Sequence, residues 1–170
     1  FLEPRGLTGS PGFAGAFRTA LDAICDTLGD ETPAPCHRDF MARNLMPLPG
    51  TPQLVVLDHQ DLRLGPPFYD LASLLNDTLF PPPDAEESFL AAALPSPADR
   101  VRYHRAAAQR TLKAVGTYAS FARRGAERHL PLIGPTLSRC LGHLALVPES
   151  ASLASELARV WRTALPPVAE

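Results

Sequence analysis

Residues 37–44 read His37-Arg38-Asp39-Phe40-Met41-Ala42-Arg43-Asn44, and with the segment directly after them they restrict the fold more than any other part of the chain. Two short apolar runs, residues 45–48 and 54–57, flank Pro49-Gly50-Thr51-Pro52. Apolar runs separated by proline and glycine predict a small β-hairpin. The second run ends at Asp58, followed by His59-Gln60-Asp61. A hairpin that short returns Asp58 to the beginning of its first strand. The chain therefore has to place a tight loop holding an Asp and an Asn beside a second Asp.

Phosphoryl transfer is one chemistry that uses such a set. It needs an acceptor hydroxyl in line with the γ-phosphorus and cations on the phosphate oxygens, and little covalent help from protein. An Asp can orient the hydroxyl and take its proton. An Asn carbonyl five residues on, and an Asp returned by the hairpin, can share one Mg²⁺. That ion prefers hard oxygens and few protein ligands, phosphate and water supplying the rest.

The remainder of the chain reads as helix. Residues 14–28 carry apolar side chains at helical spacing, with Gly29 as a stop. Helices are expected at 69–79, ended by Pro81-Pro82-Pro83, and at 85–94. Ser96-Pro97-Ala98-Asp99 is a helix start in which serine caps free amides, and that helix should run to about residue 124. Two more are expected at 131–146 and 150–165, with Val160 and Trp161 in the core. Residues 1–12, rich in proline and glycine, read as a linker into a domain spanning 13–170. The fold class is α-rich (α+β), with too little strand for a βαβ sheet.

Composition excludes several functions. A formal net charge of −2 without a basic tract argues against nucleic acid and anionic membranes as partners. No run of 18 apolar residues could span a bilayer. Cys25, Cys36 and Cys140 lack C-x-x-C spacing, which gives no zinc signature and fits reduced thiols in the cytoplasm. His104, His129 and His143 have no metal-ligand spacing and read as surface or core histidines. The sequence opens on Phe1 with no leader pattern after it, and is expected to be part of a longer protein.

The pattern H-R-D-x-x-x-x-N, an apolar strand and then Asp resembles the kinase-like phosphotransferases. The stretch Gly65-Pro66-Pro67-Phe68-Tyr69-Asp70-Leu71-Ala72 resembles the aminoglycoside phosphotransferase branch, and no activation segment ending in Ala-Pro-Glu is present. Within it the words at 37–46, 57–61 and Gln109-Arg110-Thr111-Leu112-Lys113 are similar to bacterial cell-wall sugar kinases, which act on N-acetylmuramate or N-acetylglucosamine.

The resemblance implies a protein-kinase-like carboxyl-terminal lobe whose hairpin carries the catalytic and metal loops. It implies Asp39 as catalytic base, Asn44 and Asp58 as Mg²⁺ holders, ATP as co-substrate and a small-molecule hydroxyl, a sugar, as acceptor. Asp70 would support the loop. His37 is read as a structural hydrogen-bond donor rather than an acid or base. Arg38 is left between a carboxylate partner and a solvated surface position. Arg43 is left between phosphate, an acid group of the substrate and an ordinary ion pair. Gln60 and Asp61 could touch metal or sugar, or only bond within the loop. His59 stands where the family keeps Phe or Trp packed under the metal Asp, and Met41 where many protein kinases keep a basic residue. Gln109, Arg110 and Lys113 share one predicted helical face, solvated or substrate-facing.

No strand that could carry a nucleotide-binding lysine precedes His37, and the single lysine is Lys113. An amino-terminal nucleotide lobe is therefore expected to be missing, and the 170-residue chain alone inactive. The rival readings are an aminoglycoside, choline or homoserine-type kinase, and a non-catalytic pseudokinase fragment.

Overall fold

The computed structural model describes residues 10–164. The linker expected at residues 1–12 lies outside the described residues up to residue 9, as does the last residue of the helix expected at 150–165. Among the described residues, helices α1 (Phe13–Gly29), α2 (Tyr69–Leu75), α3 (Pro83–Ala93), α4 (Pro97–Arg123), α5 (Leu130–Ala145) and α6 (Ala151–Ala164) account for most of the chain. Four three-residue strands complete it: β1 (Ala34–Cys36), β2 (Leu45–Pro47), β3 (Leu54–Val56) and β4 (Arg63–Gly65). The chain is helix-rich with two small antiparallel ladders. No single helix among the described residues is long and apolar enough to cross a membrane.

The long helix α4 is the spine. Its buried positions are mostly small, Ala106, Ala107, Ala108, Thr111, Ala114 and Ala119, which lets α1, α2 and α5 approach closely. The core gathers there: Ile24 and Leu28 of α1, Leu75 of α2, Tyr103 of α4, Ile133, Leu137 and Leu144 of α5, and Leu157 and Trp161 of α6. Val160 is buried too, as its helical spacing implies.

The expected hairpin forms. β2 pairs with β3 in the register Leu45↔Val56, Met46↔Val55, Pro47↔Leu54. A second ladder was not legible in the sequence: β1 pairs with β4, Ala34↔Gly65 and Cys36↔Arg63. Both of its strands are too short to alternate, and β1 contains Pro35. Gly65 suits that pairing, because a Cβ there would sit 3.2 Å from the Cys36 sulfur and the cysteine would have to give by a few tenths of an ångström.

Three helix ends differ from expectation, in position or in what holds them. The helix expected over 69–79 stops at Leu75, because Asn76 leaves helical geometry and turns its side chain into the core. Ser96 makes no side-chain cap; Pro97 supplies the fixed φ of the first turn, and Asp99 pairs with Arg102 at 3.0 Å. Gly29 does not reverse the chain; it stays helical and Asp30 ends α1 with an ordinary right-handed backbone.

Asn76 anchors a buried polar cluster linking four helices. Its Nδ2 donates to Ala72 O and to the Tyr103 hydroxyl, at 3.1 and 3.2 Å. Its Oδ1 accepts from Arg139 Nε at 3.0 Å and from His143 Nε2 at 2.8 Å. Arg139 forks onto Glu86 of α3, its two terminal nitrogens 2.6 and 2.7 Å from the carboxylate oxygens. These donors fix the tautomers. His143 donates through Nε2, so its Nδ1 accepts, and His104 donates from Nδ1 across 3.0 Å. Burial, then the neighbouring His104 and Arg139, pulls the His143 pKa down to about 3 from an ordinary 6.5.

The cluster has two measurable consequences. Because folded His143 resists protonation while the unfolded ring accepts a proton near pH 6.5, stability is full above that pH and falls as pH drops from 6.5 toward 3. The loss should approach about 1.4 kcal/mol per pH unit from this one ring. Urea unfolding midpoints measured from pH 7 to pH 4 should show this slope in the wild type and a shallower one in His143→Gln. Arg139→Ala strands a largely buried Glu86 carboxylate and should cost roughly 2–4 kcal/mol in the same assay, against less than about 1 kcal/mol for the exposed pair of Arg100 with Glu87.

Candidate active site

Residues 37–44 form a loop between β1 and β2, and the backbone at its entrance and exit is held by groups outside it. Asp70, in the first turn of α2, receives the His37 amide on Oδ2 at 2.6 Å and the Arg38 amide on Oδ1 at 2.8 Å. Arg38 has φ +73°, left-handed and unfavourable for a side chain of that size. The His37 ring donates from Nε2 to Leu57 O at 2.8 Å, and its Nδ1 is buried without a partner. Met41, 1% exposed, plugs the loop into the core, and Asn44 N–H closes onto its carbonyl at 2.8 Å. The position where many kinases keep a basic residue is here an apolar anchor.

Asp39, Asn44 and Asp58 are joined through this frame. Asn44 Nδ2 donates to Asp39 O at 2.8 Å, which leaves the amide oxygen Oδ1 as its outward acceptor. Leu57 N–H donates to Asn44 O at 2.8 Å, extending the β2–β3 ladder by one step. Asp58 is the next residue. It leaves the strand with φ +66°, the second left-handed non-glycine backbone among the described residues. Leu57 thus holds both ends of the loop, giving its N–H to Asn44 and its carbonyl to His37. Sequence reasoning could not see this, because Leu57 acts through its main chain.

The donor set fits a hard divalent cation. Asn44 offers an amide oxygen and Asp58 an exposed carboxylate beside it in the chain pairing. Among the described residues no group of three or more His, Cys, Asp or Glu side chains could cage a metal ion alone. Asn44 and Asp58 could hold a hard cation such as Mg²⁺ that takes most of its ligands from phosphate and water.

The other residues singled out from sequence separate. Gln60 and Asp61 are exposed and make no hydrogen bond among the described residues. His59 is exposed, its carbonyl closing a turn with Leu62 N–H at 3.2 Å, so no ring lies packed beneath Asp58. Arg38 and Arg43 form no ion pair among the described residues, and Arg43 is exposed. Gln109, Arg110 and Lys113 do not act as one face. Gln109 turns toward a cavity of about 420 Å³ between α1, β4, α2 and α4, Arg110 reaches Ser73, and Lys113 is exposed. Cys25, Leu28, Leu64 and Tyr69 also line that cavity, and no residue of the 37–44 loop does.

The site is thus an Asp–Asn loop held on a helix carboxylate, with a hairpin behind it and a left-handed Asp at the hairpin's end. Residues 8–108 match the phosphotransferase enzyme family, and the chain belongs to that family. It is similar to the N-acetylmuramate/N-acetylglucosamine kinase of Pseudomonas putida, 35% identical over 71% of this chain and 40% of the relative. It is 34% identical to the protein of the same name from Neisseria meningitidis serogroup B, over 69% of this chain and 39% of the relative. The chain spans about two fifths of the length of these curated relatives.

Asp70→Ala should free the His37 and Arg38 amides. Hydrogen exchange at these two positions is expected to accelerate by at least about tenfold while the helical circular dichroism persists, from the loss of two charge-assisted bonds. Unchanged exchange would mean that the loop is held some other way.

Proposed function

We propose that this chain is the kinase-like carboxyl-terminal lobe of an ATP-dependent phosphotransferase that moves the γ-phosphate to a hydroxyl of an amino sugar. The observation that carries the reading is the 37–44 loop, held in a strained form by Asp70 and Leu57 so that Asp39, Asn44 and Asp58 belong to one hydrogen-bonded frame. Backbone strain of this kind persists where the surroundings over-determine it, and it gathers at active sites. Family membership supports the reaction class. The names of the two relatives support an amino sugar as the acceptor.

Asp39 would orient the acceptor hydroxyl and take its proton as the oxygen attacks phosphorus. Asn44 Oδ1 and the Asp58 carboxylate would hold Mg²⁺, which when bound neutralises charge on the phosphate oxygens. His37, Arg38 and Asp70 would keep the loop in register, and Gln60 and Asp61 would bond within the loop or to the sugar. A nucleotide lobe would cover the hairpin. Exposed Leu54 and Val56 on one face of the ladder, and Met46 and Leu57 on the other, support that placement, since they leave apolar surface on the strands nearest the loop. Three unpaired thiols, two of them buried, support a reducing compartment, the cytoplasm.

The test uses the full-length protein, labelled ATP and a panel of acceptors: N-acetylmuramate, N-acetylglucosamine, an aminoglycoside, choline and homoserine. Transfer to an amino sugar is expected, and transfer confined to an amine alcohol would overturn the acceptor assignment. Asp39→Ala should lower kcat by about 10²–10⁴ with the fold intact by circular dichroism. Near-normal turnover of Asp58→Ala would remove the metal role. Calorimetric titration of the 170-residue chain with Mg·ATP should show no micromolar binding, and micromolar affinity would contradict the one-lobe reading.

A further inference from the structure

Helix α2 bears Asp70 and so holds the loop of Asp39, yet little in its own packing fixes its level along α4. Its buried side chains are Ala72, Ser73 and Leu75, and the buried positions of α4 are mostly alanine. Small side chains allow close approach but offer few ridges to lock one helix at one level on another. Directional bonds supply that lock. At the far end of α2, Arg139 of α5 donates from Nε to Asn76 Oδ1 at 3.0 Å and from a terminal nitrogen to Leu75 O at 3.1 Å. Midway, Arg110 Nε of α4 donates to Ser73 Oγ at 3.2 Å. Where α2 begins, Arg102 of α4 lies over the Phe68 ring, 4.9 Å from its centroid, a face contact with little direction along the axis.

Arg139 is itself held in one orientation. Its two terminal nitrogens fork onto Glu86 of α3 at 2.6 and 2.7 Å, and its guanidinium lies over the Phe80 ring at 5.0 Å. The fork fixes the plane of the guanidinium, and the donors left over then reach only the end of α2. From Asn76 back to Asp70 is roughly 9 Å of helix. That helix contains no proline or glycine at which to bend. A shift imposed at Asn76 therefore arrives at Asp70, whose carboxylate receives the His37 and Arg38 amides.

We propose that Arg139 is a positioning residue for phosphoryl transfer. It acts through α2 and Asp70: by fixing the level of the helix, it sets where the loop presents Asp39. The expected effect on turnover rests on the transferase reading, whereas the expected effect on the loop amides does not.

The experiment compares the full-length wild type with Arg139→Lys, with the double variant Arg139→Gln and Glu86→Gln, and with Leu157→Ala. The last removes an apolar core side chain of α6 and touches no bond to α2, so it reports what loss of stability does alone. For each, kcat and KM with ATP and N-acetylglucosamine are measured per folded molecule, alongside amide exchange at His37 and Arg38. Lysine keeps a charge beside Glu86 but loses the fork that reaches Asn76, Leu75 and Glu86 together. Arg139→Lys should lower kcat about 10- to 100-fold, leave both KM values within about twofold, and speed exchange of the two amides at least about tenfold. The double variant strands no charge, should show the same pattern, and keeps the test alive if Arg139→Lys does not fold. Leu157→Ala should lower Tm and move neither readout. If kcat per folded molecule and both amides were unchanged without Arg139, its role would be structural only and the proposal overturned. It would equally be overturned if Leu157→Ala reproduced the pattern, since any loss of stability would then suffice. Wild type inactive toward every acceptor would overturn the transferase reading instead, and amide exchange in Arg139→Lys would still uphold or overturn the hold of Arg139 on the loop.

Discussion

The Asp70 carboxylate is the interaction on which the site depends. Its two oxygens receive the amides of His37 and Arg38 at 2.6 and 2.8 Å, across a backbone that Arg38 holds at φ +73°. A left-handed non-glycine residue costs on the order of 1–3 kcal/mol. Two charge-assisted bonds, each worth about 1.5–3 kcal/mol, can offset that cost. The loop is thus as fixed as the helix that bears Asp70. That helix, seven residues long, could not be stable by itself. It is fixed at its far end, where Asn76 and the Leu75 carbonyl are bound by Arg139 of α5. The position of a catalytic loop thereby comes to depend on a buried arginine in a helix remote from it in sequence.

This chain of dependence explains which parts of the structure were legible in the sequence. Periodic helices were, because α1, α4 and α5 bury one face each against the same core. The hairpin was, because its turn is local and the pairing Leu45↔Val56 is set by its length. The β1–β4 ladder was hidden: three residues a side, one of them proline, give no alternation, and the close fit of Gly65 against Cys36 is a tertiary contact that no local pattern announces. The end of α2 was hidden for a related reason. Residues 76–79 carry no signal against helix, and what stops it is a tertiary event, the capture of the Asn76 amide by Arg139 and His143.

The candidate site divides along the same line. Asp39, Asn44 and Asp58 stand out in the sequence by residue type and spacing, and the structure ties them to one backbone frame. The main-chain groups that arrange them do not stand out: the Leu57 carbonyl and amide, the Met41 carbonyl, the Asp39 carbonyl. Nor could sequence resolve Gln109, Arg110 and Lys113, which share a helical neighbourhood but turn to a cavity, a neighbouring helix and solvent.

The state of His37 bears on which group serves as base. Its Nε2–H is committed to the Leu57 carbonyl, which leaves Nδ1 as the second ring nitrogen. That nitrogen is buried and faces no partner, and the residue is only 6% exposed. An acceptor hydroxyl outside the loop cannot deliver a proton to an atom sealed behind it. Asp39, half-buried and bonded to the loop only through its carbonyl, keeps its carboxylate uncommitted. The histidine that opens the loop is therefore a strut between the loop and the hairpin, and the side chain left uncommitted is the carboxylate two residues on.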